Sequence, residues 1–282
     1  MCENCKFIHA IPLPSETELI NLYKNEFFQK IKPNDIEKEK QESEYWKTTF
    51  DDKLDSAKKL LGKTGRFLDI GCGSGSLLLR AKELQWDVFG IEPSTEAAKH
   101  AMEKGLPLVE DFFQNIDLSS LGIFDVIHMK NLLEHTPSPV QVLEKCKSIL
   151  SKDGILIIEV PNDFNPLQDT AQKIFNKSMY WIDPPVHINY FNFDSLSNLL
   201  ESNNFKILLK ESTFPLELFL LMGYDYLDDD TIGKQKHIER MQFEKNLIKF
   251  EQNNLKRNIY QHFAELGIGR TQIIYAQKNI LS

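Results

Sequence analysis

The sequence has little cysteine, no run of basic residues and no long hydrophobic segment. Lys and Arg total 33 against 41 Asp and Glu, which gives a formal net charge of −8 over 282 residues. An acidic chain gains nothing from the phosphate electrostatics that dominate nucleic-acid binding, so we expect no nucleic-acid partner. The longest apolar run, Leu216 to Met222, is interrupted by Glu217 and is too short to span a bilayer. With no basic and then apolar run at the N-terminus, we expect a cytoplasmic protein.

The four cysteines do not form a complete metal site. Cys72 lies in a glycine-rich turn and Cys146 on the apolar face of a predicted helix, where a small buried hydrophobic side chain is the usual role. Cys2 and Cys5 form a Cys-x-x-Cys pair, which is half of a zinc ribbon and cannot close tetrahedral coordination alone. We therefore expect no metal, and zinc at one equivalent per chain would overturn this.

The most informative stretch is Phe67–Ser76, in which an apolar strand ends in Asp69 and runs into Gly71, Gly73 and Gly75. Without a Cβ, each glycine can adopt positive φ or let a ligand approach the backbone. An acid and bare turns at the carboxyl end of a parallel strand indicate a small-molecule cofactor at that edge of the sheet. The alternative is a tight strand-to-helix turn without a ligand.

The register of the glycines disfavours a nicotinamide cofactor. A dinucleotide fingerprint requires Gly-x-Gly-x-x-Gly, and from Gly71 and Gly73 its third glycine falls on Ser76. Asp69 would repel a pyrophosphate, but it suits a ligand that carries an ammonium or sulfonium cation. An NAD-dependent oxidoreductase stays open as an alternative, which a melting-temperature shift with NAD would support.

Strands and helices alternate through the middle of the chain. Helical segments separate predicted strands at residues 67–70, 86–92, 108–109, 124–129 and 155–160. This alternation predicts an α/β fold with a doubly wound, mostly parallel sheet. Glu92 ends the second strand, at about the place where ribose hydroxyls are held in this architecture.

Together these segments resemble the class I S-adenosylmethionine-dependent methyltransferases. LDIGCGSGS is similar to their glycine-rich motif, IEPS to their acidic ribose-binding turn, and FDVIHMKNLLEHTPSP and LSKDGILIIEVPN to their fourth-strand and fifth-strand motifs. The resemblance implies a Rossmann-like sheet of seven strands, mostly parallel with the last strand antiparallel, and S-adenosyl-L-methionine as cofactor. Residues 205–209 and 271–277 suit its sixth and seventh strands.

The resemblance also implies a site. Its cofactor residues would be Asp69, Gly71, Gly73 and Gly75 around the methionine part, Glu92 on the ribose, Asp111 and Phe112 on the adenine, and Asn131 beside the sulfonium. The reaction is an in-line displacement of methyl, in which positioning supplies much of the acceleration and a base matters most for a hydroxyl acceptor. His135 and His187 are the candidate bases, because histidine titrates near neutrality.

The acceptor is predicted from the segment that follows the fifth strand. Residues 165–193 are rich in aromatics and proline, and we assign Tyr180, Trp181 and Tyr190 to substrate binding. The sequence PPVHINYF resembles a pattern of methyltransferases found with surface-polysaccharide genes. The segment from Cys2 to Phe28 resembles the tail of a zinc-binding module in sugar C-methyltransferases. The leading expectation is a sugar or nucleotide-sugar acceptor in surface-polysaccharide biosynthesis.

Quinone-pathway O-methyltransferases are similar in the same core. Their Glu-x-x-Glu-His metal-binding pattern corresponds to Asn131-Leu132-Leu133-Glu134-His135 here, so Asn131 removes one carboxylate and would weaken a divalent metal site. We therefore predict no metal dependence and keep a quinone-pathway-like O-methyltransferase as the alternative. A non-catalytic relative that retains the cofactor pocket is the third hypothesis.

The domain organisation follows from these assignments. We predict an N-terminal remnant module with helices at 1–62, a cofactor-binding core at 63–210, a helical insertion at 211–270 and the final strand of the core at 271–282. One long helix, from about Lys234 to Leu266, is expected in the insertion. Its apolar side would pack on the domain or on a second copy of the chain, which would give a homodimer.

Overall fold

A computed structural model of the chain describes residues 2, 7–24, 26 and 33–279. Its main sheet contains β2 (Arg66–Ile70), β3 (Asp87–Ile91), β4 (Leu108–Val109), β5 (Phe124–Lys130), β6 (Leu150–Pro161), β8 (Phe205–Ser212) and β9 (Thr271–Lys278). A separate ribbon pairs β1 (Ile8–His9) antiparallel with β7 (Asn189–Tyr190). This ribbon, which was not predicted, joins the N-terminal segment to the loop after β6.

The strands of the main sheet lie in the order β4-β3-β2-β5-β6-β9-β8. β9 is antiparallel to both of its neighbours, and the other strand pairs described in this sheet are parallel. The predicted fold, a Rossmann-like α/β sheet of seven strands with one antiparallel strand, is confirmed. The strand order reverses between β2 and β5, and this reversal opens a crevice beyond the carboxyl ends of the parallel strands.

Helices cover both faces and the carboxyl edge of the sheet. They are α1 (Glu16–Asn21), α2 (Asp35–Gln41), α3 (Ser43–Leu61), α4 (Ser76–Glu83), α5 (Thr95–Glu103), α6 (Pro139–Ile149), α7 (Pro166–Phe175), α8 (Phe193–Ser202), α9 (Glu217–Leu221), α10 (Asp230–Lys249) and α11 (Asn253–Glu265). A capping box of Ser15 and Glu18 begins α1. Gly62 ends α3 with φ +82°, a left-handed conformation that glycine adopts at little steric cost.

The core forms two apolar layers because successive strand residues point to opposite faces. Phe67 and Val126 belong to one cluster, while their chain neighbours Leu68 and Ile127 belong to the other, and all four are fully buried. Burying one such side chain contributes about 1.5–3 kcal/mol, so the central strands are held rigidly from both sides. Polar residues in these strands therefore need partners.

The helical insertion differs from the expectation of one long helix, which is wrong. α10 ends near Phe250, Glu251 adopts φ +60°, and α11 then packs along β8. Phe250 is 70% exposed and Ile238 is 61% exposed, while the buried residues of α10 are the charged Lys236 and Glu244. The insertion therefore brings charge rather than an apolar stripe toward the sheet edge.

Two other expectations concern the N-terminus and membranes. Cys5, one half of the Cys-x-x-Cys pair, lies outside the described residues, so the zinc-module remnant stays a prediction. Within residues 7–24 and 33–279, none of the helices combines the length and apolarity needed to cross a membrane.

Candidate functional site

A cavity of about 900 Å³, the main cavity, opens at the carboxyl edge where the strand order reverses. The N-terminal helices cover it with apolar side chains that include Leu19, Trp46 and Phe50. Seven residues of the predicted site line it: Asp69, Gly71, Gly73, Glu92, Phe112, Asn131 and His135. Tertiary structure thus brings together residues from the ends of several strands.

Asp69 is held by a buried histidine, His128. His128 Nδ1 lies 2.6 Å from Asp69 Oδ1, and Lys53 Nζ lies 3.2 Å from His128 Nε2. A carboxylate accepts and an ammonium donates, so Nδ1 carries the proton and Nε2 accepts from Lys53. Burial and the charge of Lys53 lower the pKa of His128, which agrees with a neutral imidazole.

The same lysine connects Asp69 to a second buried carboxylate. Lys53 forms a short hydrogen bond to Glu159, whose other oxygen lies 3.2 Å from Lys130 Nζ. Burial alone would raise the pKa of Glu159, but Lys130 and Lys53 outweigh it and hold that pKa well below its usual range. A continuous series of polar contacts therefore runs from Lys130 through Glu159, Lys53 and His128 to Asp69.

The sequence contained one signal for this series. His128 and Glu159 are polar residues inside otherwise apolar strands, and Asp69 is the direct neighbour of His128 in the β2–β5 register. A polar side chain in a strand that is buried on both faces must find a partner. Lys53 gave no such signal, because it lies on α3, far from both strands in the chain.

Glu92 organises the glycine turn. Its carboxylate oxygens accept hydrogen bonds from the backbone N–H groups of Gly73 and Ser94, both at 2.8 Å. Burial raises the pKa of Glu92 to about 7. Gly73 has φ +54°, and a Cβ built there would meet nothing within 4 Å, so its position faces open space.

Gly75, Asp111 and His187 do not line the main cavity. A Cβ on Gly75 would lie 2.5 Å from Leu106 Cδ1, so this glycine allows close packing of the turn. Asp111 Oδ1 accepts from the backbone N–H of Phe112 at 2.7 Å and from the side chain of Asn115 at 2.9 Å. Asp111 therefore fixes the turn that carries Phe112, and its contact with a ligand stays a prediction.

His135 is held in one tautomer. Its Nδ1 lies 2.7 Å from the carbonyl oxygen of Val186 and 2.8 Å from the hydroxyl of Tyr23. A carbonyl only accepts, so Nδ1 carries the proton and Nε2 does not. Burial and the neighbouring His187 lower the pKa of His135 to about 3. The imidazole is therefore neutral over the whole physiological range.

Glu134, His135 and His187 form a cluster beside the main cavity. One ligand atom from each lies within 4.8 Å of the others, so this set could hold a metal ion. Glu134 is fully buried, and among the described residues neither of its carboxylate oxygens has a hydrogen-bond partner. Burial raises its pKa well above the usual range. The expected absence of a metal stays a prediction. His187 adds a possible metal ligand that the sequence of residues 131–135 could not indicate.

The residues assigned to substrate binding lie elsewhere. Tyr180, Trp181 and Tyr190 do not line the main cavity, and they do not line the smaller cavity beside it that is described next. Trp181 packs edge-on against Tyr180 and Phe164 at centroid distances of 5.1 and 5.5 Å, and Phe164 also meets Tyr190 at 6.2 Å. Such edge-to-face packing removes the rings from water. The rings of this aromatic loop pack on one another, and the assignment of Tyr180, Trp181 and Tyr190 to substrate binding stays a prediction.

A second cavity of about 290 Å³, the side cavity, lies against the first. Trp46, Lys130, Asn131 and His237 line both. The helical insertion contributes Lys236 and Arg240 to the side cavity, one turn apart on α10. From the sequence, only a packing role was expected for the insertion. The i, i+4 spacing of two cations on one helix face was the available signal.

Comparisons with known proteins identify the family of the chain. A family model described as a methyltransferase domain matches residues 40–210. A ubiquinone biosynthesis O-methyltransferase of Actinobacillus pleuropneumoniae serotype 7 (strain AP76) is 38% identical over 116 residues, which cover 38% of this chain and 49% of that protein. The chain thus spans about half the length of the curated relatives it matches.

Solved structures share the fold. The plantazolicin methyltransferase BpumL in complex with SAH superposes with a TM-score of 0.56 at 17% identity, covering 93% of this chain and 94% of that one. A SAM-dependent methyltransferase from Archaeoglobus fulgidus gives a TM-score of 0.52 at 19% identity, with 84% and 97% covered. At these identities the likeness is one of fold.

Proposed function

Because the chain belongs to the methyltransferase-domain family, with a class I S-adenosylmethionine-dependent fold, we propose that it transfers a methyl group to a hydroxyl oxygen of a small-molecule acceptor. The observation that carries this proposal is the pair of buried carboxylates, Asp69 and Glu92, at adjacent strand ends around a bare glycine turn. Relatives named ubiquinone biosynthesis O-methyltransferase support a hydroxylated ring as the acceptor. Family membership also favours S-adenosyl-L-methionine over the nicotinamide alternative.

The main cavity fits S-adenosylmethionine in size and charge. Its volume of about 900 Å³ lies within the range of small-molecule sites, about 300–1,000 Å³. When bound, this cofactor supplies an electrophilic methyl group on a sulfonium. Asp69 would accept hydrogen bonds from the ammonium of its methionine part, Glu92 would accept from the ribose hydroxyls, and Phe112 would lie against the adenine. The open Cβ position of Gly73 leaves room for the ligand beside the backbone.

His135 is our candidate for the proton acceptor. Its Nε2 is unprotonated, and its ring lines the main cavity. A base with so low a pKa does not deprotonate a free hydroxyl, but a hydroxyl oxygen becomes strongly acidic as it gains a methyl group. His135 therefore orients the acceptor hydroxyl first and takes its proton late in the transfer.

His187 is better described as a positioning residue than as a base. It lies outside the cavity lining, and its ring centroid is 5.0 Å from that of His135. Its proximity contributes to the lowered pKa of His135. We propose that His187 sets the orientation and basicity of His135.

The sugar acceptor expected from the sequence has little support. That expectation depended on the aromatic loop, whose Tyr180, Trp181 and Tyr190 line neither cavity. The relatives reported above are named for ubiquinone biosynthesis instead. A hydroxylated aromatic acceptor therefore replaces a sugar or nucleotide-sugar as the leading candidate.

The test combines calorimetry with a transfer assay. The full chain is titrated with S-adenosylhomocysteine and then incubated with methyl-labelled cofactor and a panel of catechols, hydroxybenzoates, sugars and sugar phosphates. We expect binding and labelled product from the hydroxylated aromatics. Binding without product from any acceptor would indicate a non-catalytic relative, and stabilisation by NAD alone would indicate an oxidoreductase.

A further inference from the structure

The side cavity carries a charge opposite to that of the whole chain. Its lining includes the cations Lys130, Lys236, Arg240 and Arg270 but a single carboxylate, Glu159. The chain as a whole has a formal net charge of −8. A concave, partly dry surface of one sign concentrates ligands of the other sign. The excess of positive charge is thus local and calls for an explanation.

Acidic side chains of the protein neutralise part of this positive charge. Lys130 lies 3.2 Å from Glu159, which Lys53 also contacts, and Lys236 lies 2.7 Å from Glu239. Glu239 is 42% exposed, so solvent screens that second pair. Glu159 therefore serves both buried Lys53 and partly exposed Lys130, while Glu239, the acid that pairs with Lys236, is partly open to solvent.

The two arginines are less well compensated. Arg240 approaches Glu244 only to 3.9 Å, lies 3.1 Å from His237 Nδ1 and packs over the ring of Tyr45 at 5.2 Å. Half-buried Arg270 has no salt bridge within 4.0 Å among the described residues. The acid whose pKa Arg270 lowers is Asp163, and burial nevertheless raises that pKa to about 7. Arg270 is thus a guanidinium at the cavity wall without a carboxylate in salt-bridge range among the described residues.

Aromatic side chains form the remaining walls. Tyr45, Trp46, Phe219 and Tyr226 line the side cavity together with the cations. Trp46 also lines the main cavity, so the two spaces share a wall next to the cofactor residue Asn131. An aromatic wall accepts a flat or apolar body, and a guanidinium binds a carboxylate or phosphate through paired N–H groups.

We propose that the side cavity is the acceptor pocket and that it selects acceptors bearing an anionic group, a carboxylate or a phosphate, which Arg270 and Lys236 bind. This inference rests on the methyl transfer proposed above and adds the substrate class. The anionic group would anchor the acceptor in the side cavity, while its hydroxyl extends past Asn131 toward the main cavity. Neutral phenols and alcohols would lack this anchor.

The test measures binding without turnover. The full chain, saturated with S-adenosylhomocysteine, is titrated calorimetrically with benzoate and with glucose 6-phosphate, each compared with its neutral partner, benzyl alcohol or glucose. We expect at least one anion to bind roughly tenfold more tightly than its neutral partner, since a hydrogen bond to a charged group contributes about 1.5–3 kcal/mol. Comparing the two anions distinguishes a carboxylate from a phosphate.

Variants locate the binding site. Arg270→Gln and, separately, Lys236→Gln should each weaken binding of the preferred anion roughly tenfold and leave the affinity for S-adenosylhomocysteine unchanged. Lys245→Gln is the matched control, because it removes an exposed cation from the same helix outside the cavity. Two variants are used so that poor folding of one does not decide the result.

The outcomes separate this inference from the function on which it rests. Equal affinity for anions and neutral partners, no binding of either anion, or an equal effect of Lys245→Gln would overturn the anionic acceptor while leaving methyl transfer intact. Loss of S-adenosylhomocysteine binding in the unmodified chain would instead overturn the proposed function. In the transfer assay, 3,4-dihydroxybenzoate should show a lower KM than catechol, and Arg270→Gln should remove that difference.

Discussion

The main cavity and the side cavity are neighbours built in opposite ways. The main cavity presents two buried acids, Asp69 and Glu92, from adjacent strand ends, and both acids lie within or close to one glycine-rich segment. The side cavity presents cations from β5, α10 and the residue before β9, which are far apart in the chain. The cofactor cavity is therefore formed mainly by residues that are close together in the chain. The proposed acceptor cavity is formed by distant residues that only the folded structure brings together. The Glu159–Lys53–His128 series lies between them and contacts both.

The largest expected effect comes from breaking that series. Glu159→Gln removes the carboxylate that two lysines share and leaves buried Lys53 uncompensated. We expect a loss of about 3–5 kcal/mol in the free energy of unfolding, measured in urea. Asp169→Asn, which removes an exposed pair with Lys173, is the control and should cost less than about 1 kcal/mol. Equal losses would show that the buried series does not stabilise the boundary between the cavities.

Changes at the acidic side of the main cavity should strongly weaken cofactor binding. Asp69→Ala removes a buried acceptor, and we expect the affinity for S-adenosylhomocysteine to fall roughly a hundredfold, because hydrogen bonds to charged groups contribute about 1.5–3 kcal/mol each. Gly73→Val should have a similar effect, since φ is +54° there. Asp111→Ala, outside the cavity lining, should change the affinity much less. Calorimetry that finds unchanged affinity in the first two variants would contradict the assigned pocket.

Substitution of the paired histidines separates chemistry from binding. His135→Gln should lower kcat about a hundredfold with no change in cofactor affinity. His187→Ala should lower turnover less and shift the pH profile, because it acts through the pKa of His135. Steady-state kinetics over a range of pH measure both effects. If His135→Gln leaves kcat intact, the proton acceptor lies elsewhere.

The raised pKa of Glu92 predicts two pH effects of opposite sign. Between its ordinary value of 4.5 and its folded value of about 7, the folded chain holds this proton more tightly than the unfolded chain, so stability without ligand falls as pH rises through that window. Affinity for S-adenosylhomocysteine should rise, up to about tenfold from about pH 6 to about pH 8, because the ionised carboxylate binds the ribose. Glu92→Gln should flatten both curves. Parallel rather than opposite trends would exclude Glu92 as their source.

Metal removal should have the smallest effect. Asn131 stands where the related pattern has a carboxylate, and the Glu134, His135 and His187 cluster offers one carboxylate and two imidazoles. Mg²⁺ prefers oxygen ligands, so we expect EDTA to leave methyl transfer unchanged. Metal analysis of the purified chain is the complementary measurement. Activity lost with EDTA and restored by Mg²⁺, or a bound metal that Glu134→Gln removes, would make this cluster a metal centre.

Local reasoning anticipated the sheet and the cofactor edge but not the acceptor side. The strands, the glycine turn, the Ser15 cap and the Gly62 helix end follow from residues close together in the chain. The helix predicted through Lys234 to Leu266 is broken because Glu251 adopts a left-handed conformation, which glutamate seldom does. The aromatic loop was assigned to the acceptor by composition, yet its rings pack on one another.

The sequence by itself determined the α/β sheet, the placement of Asp69 and Glu92 at strand ends, and the glycines that keep the turn bare. Those features depend on strand periodicity and on the conformational freedom of glycine, which neighbouring residues dictate. Only the tertiary structure decided that His128 and Lys53 hold Asp69, and that Lys236 and Arg270 face one cavity. Such contacts join distant segments, and their partners are chosen by how the buried sheet and the insertion pack together.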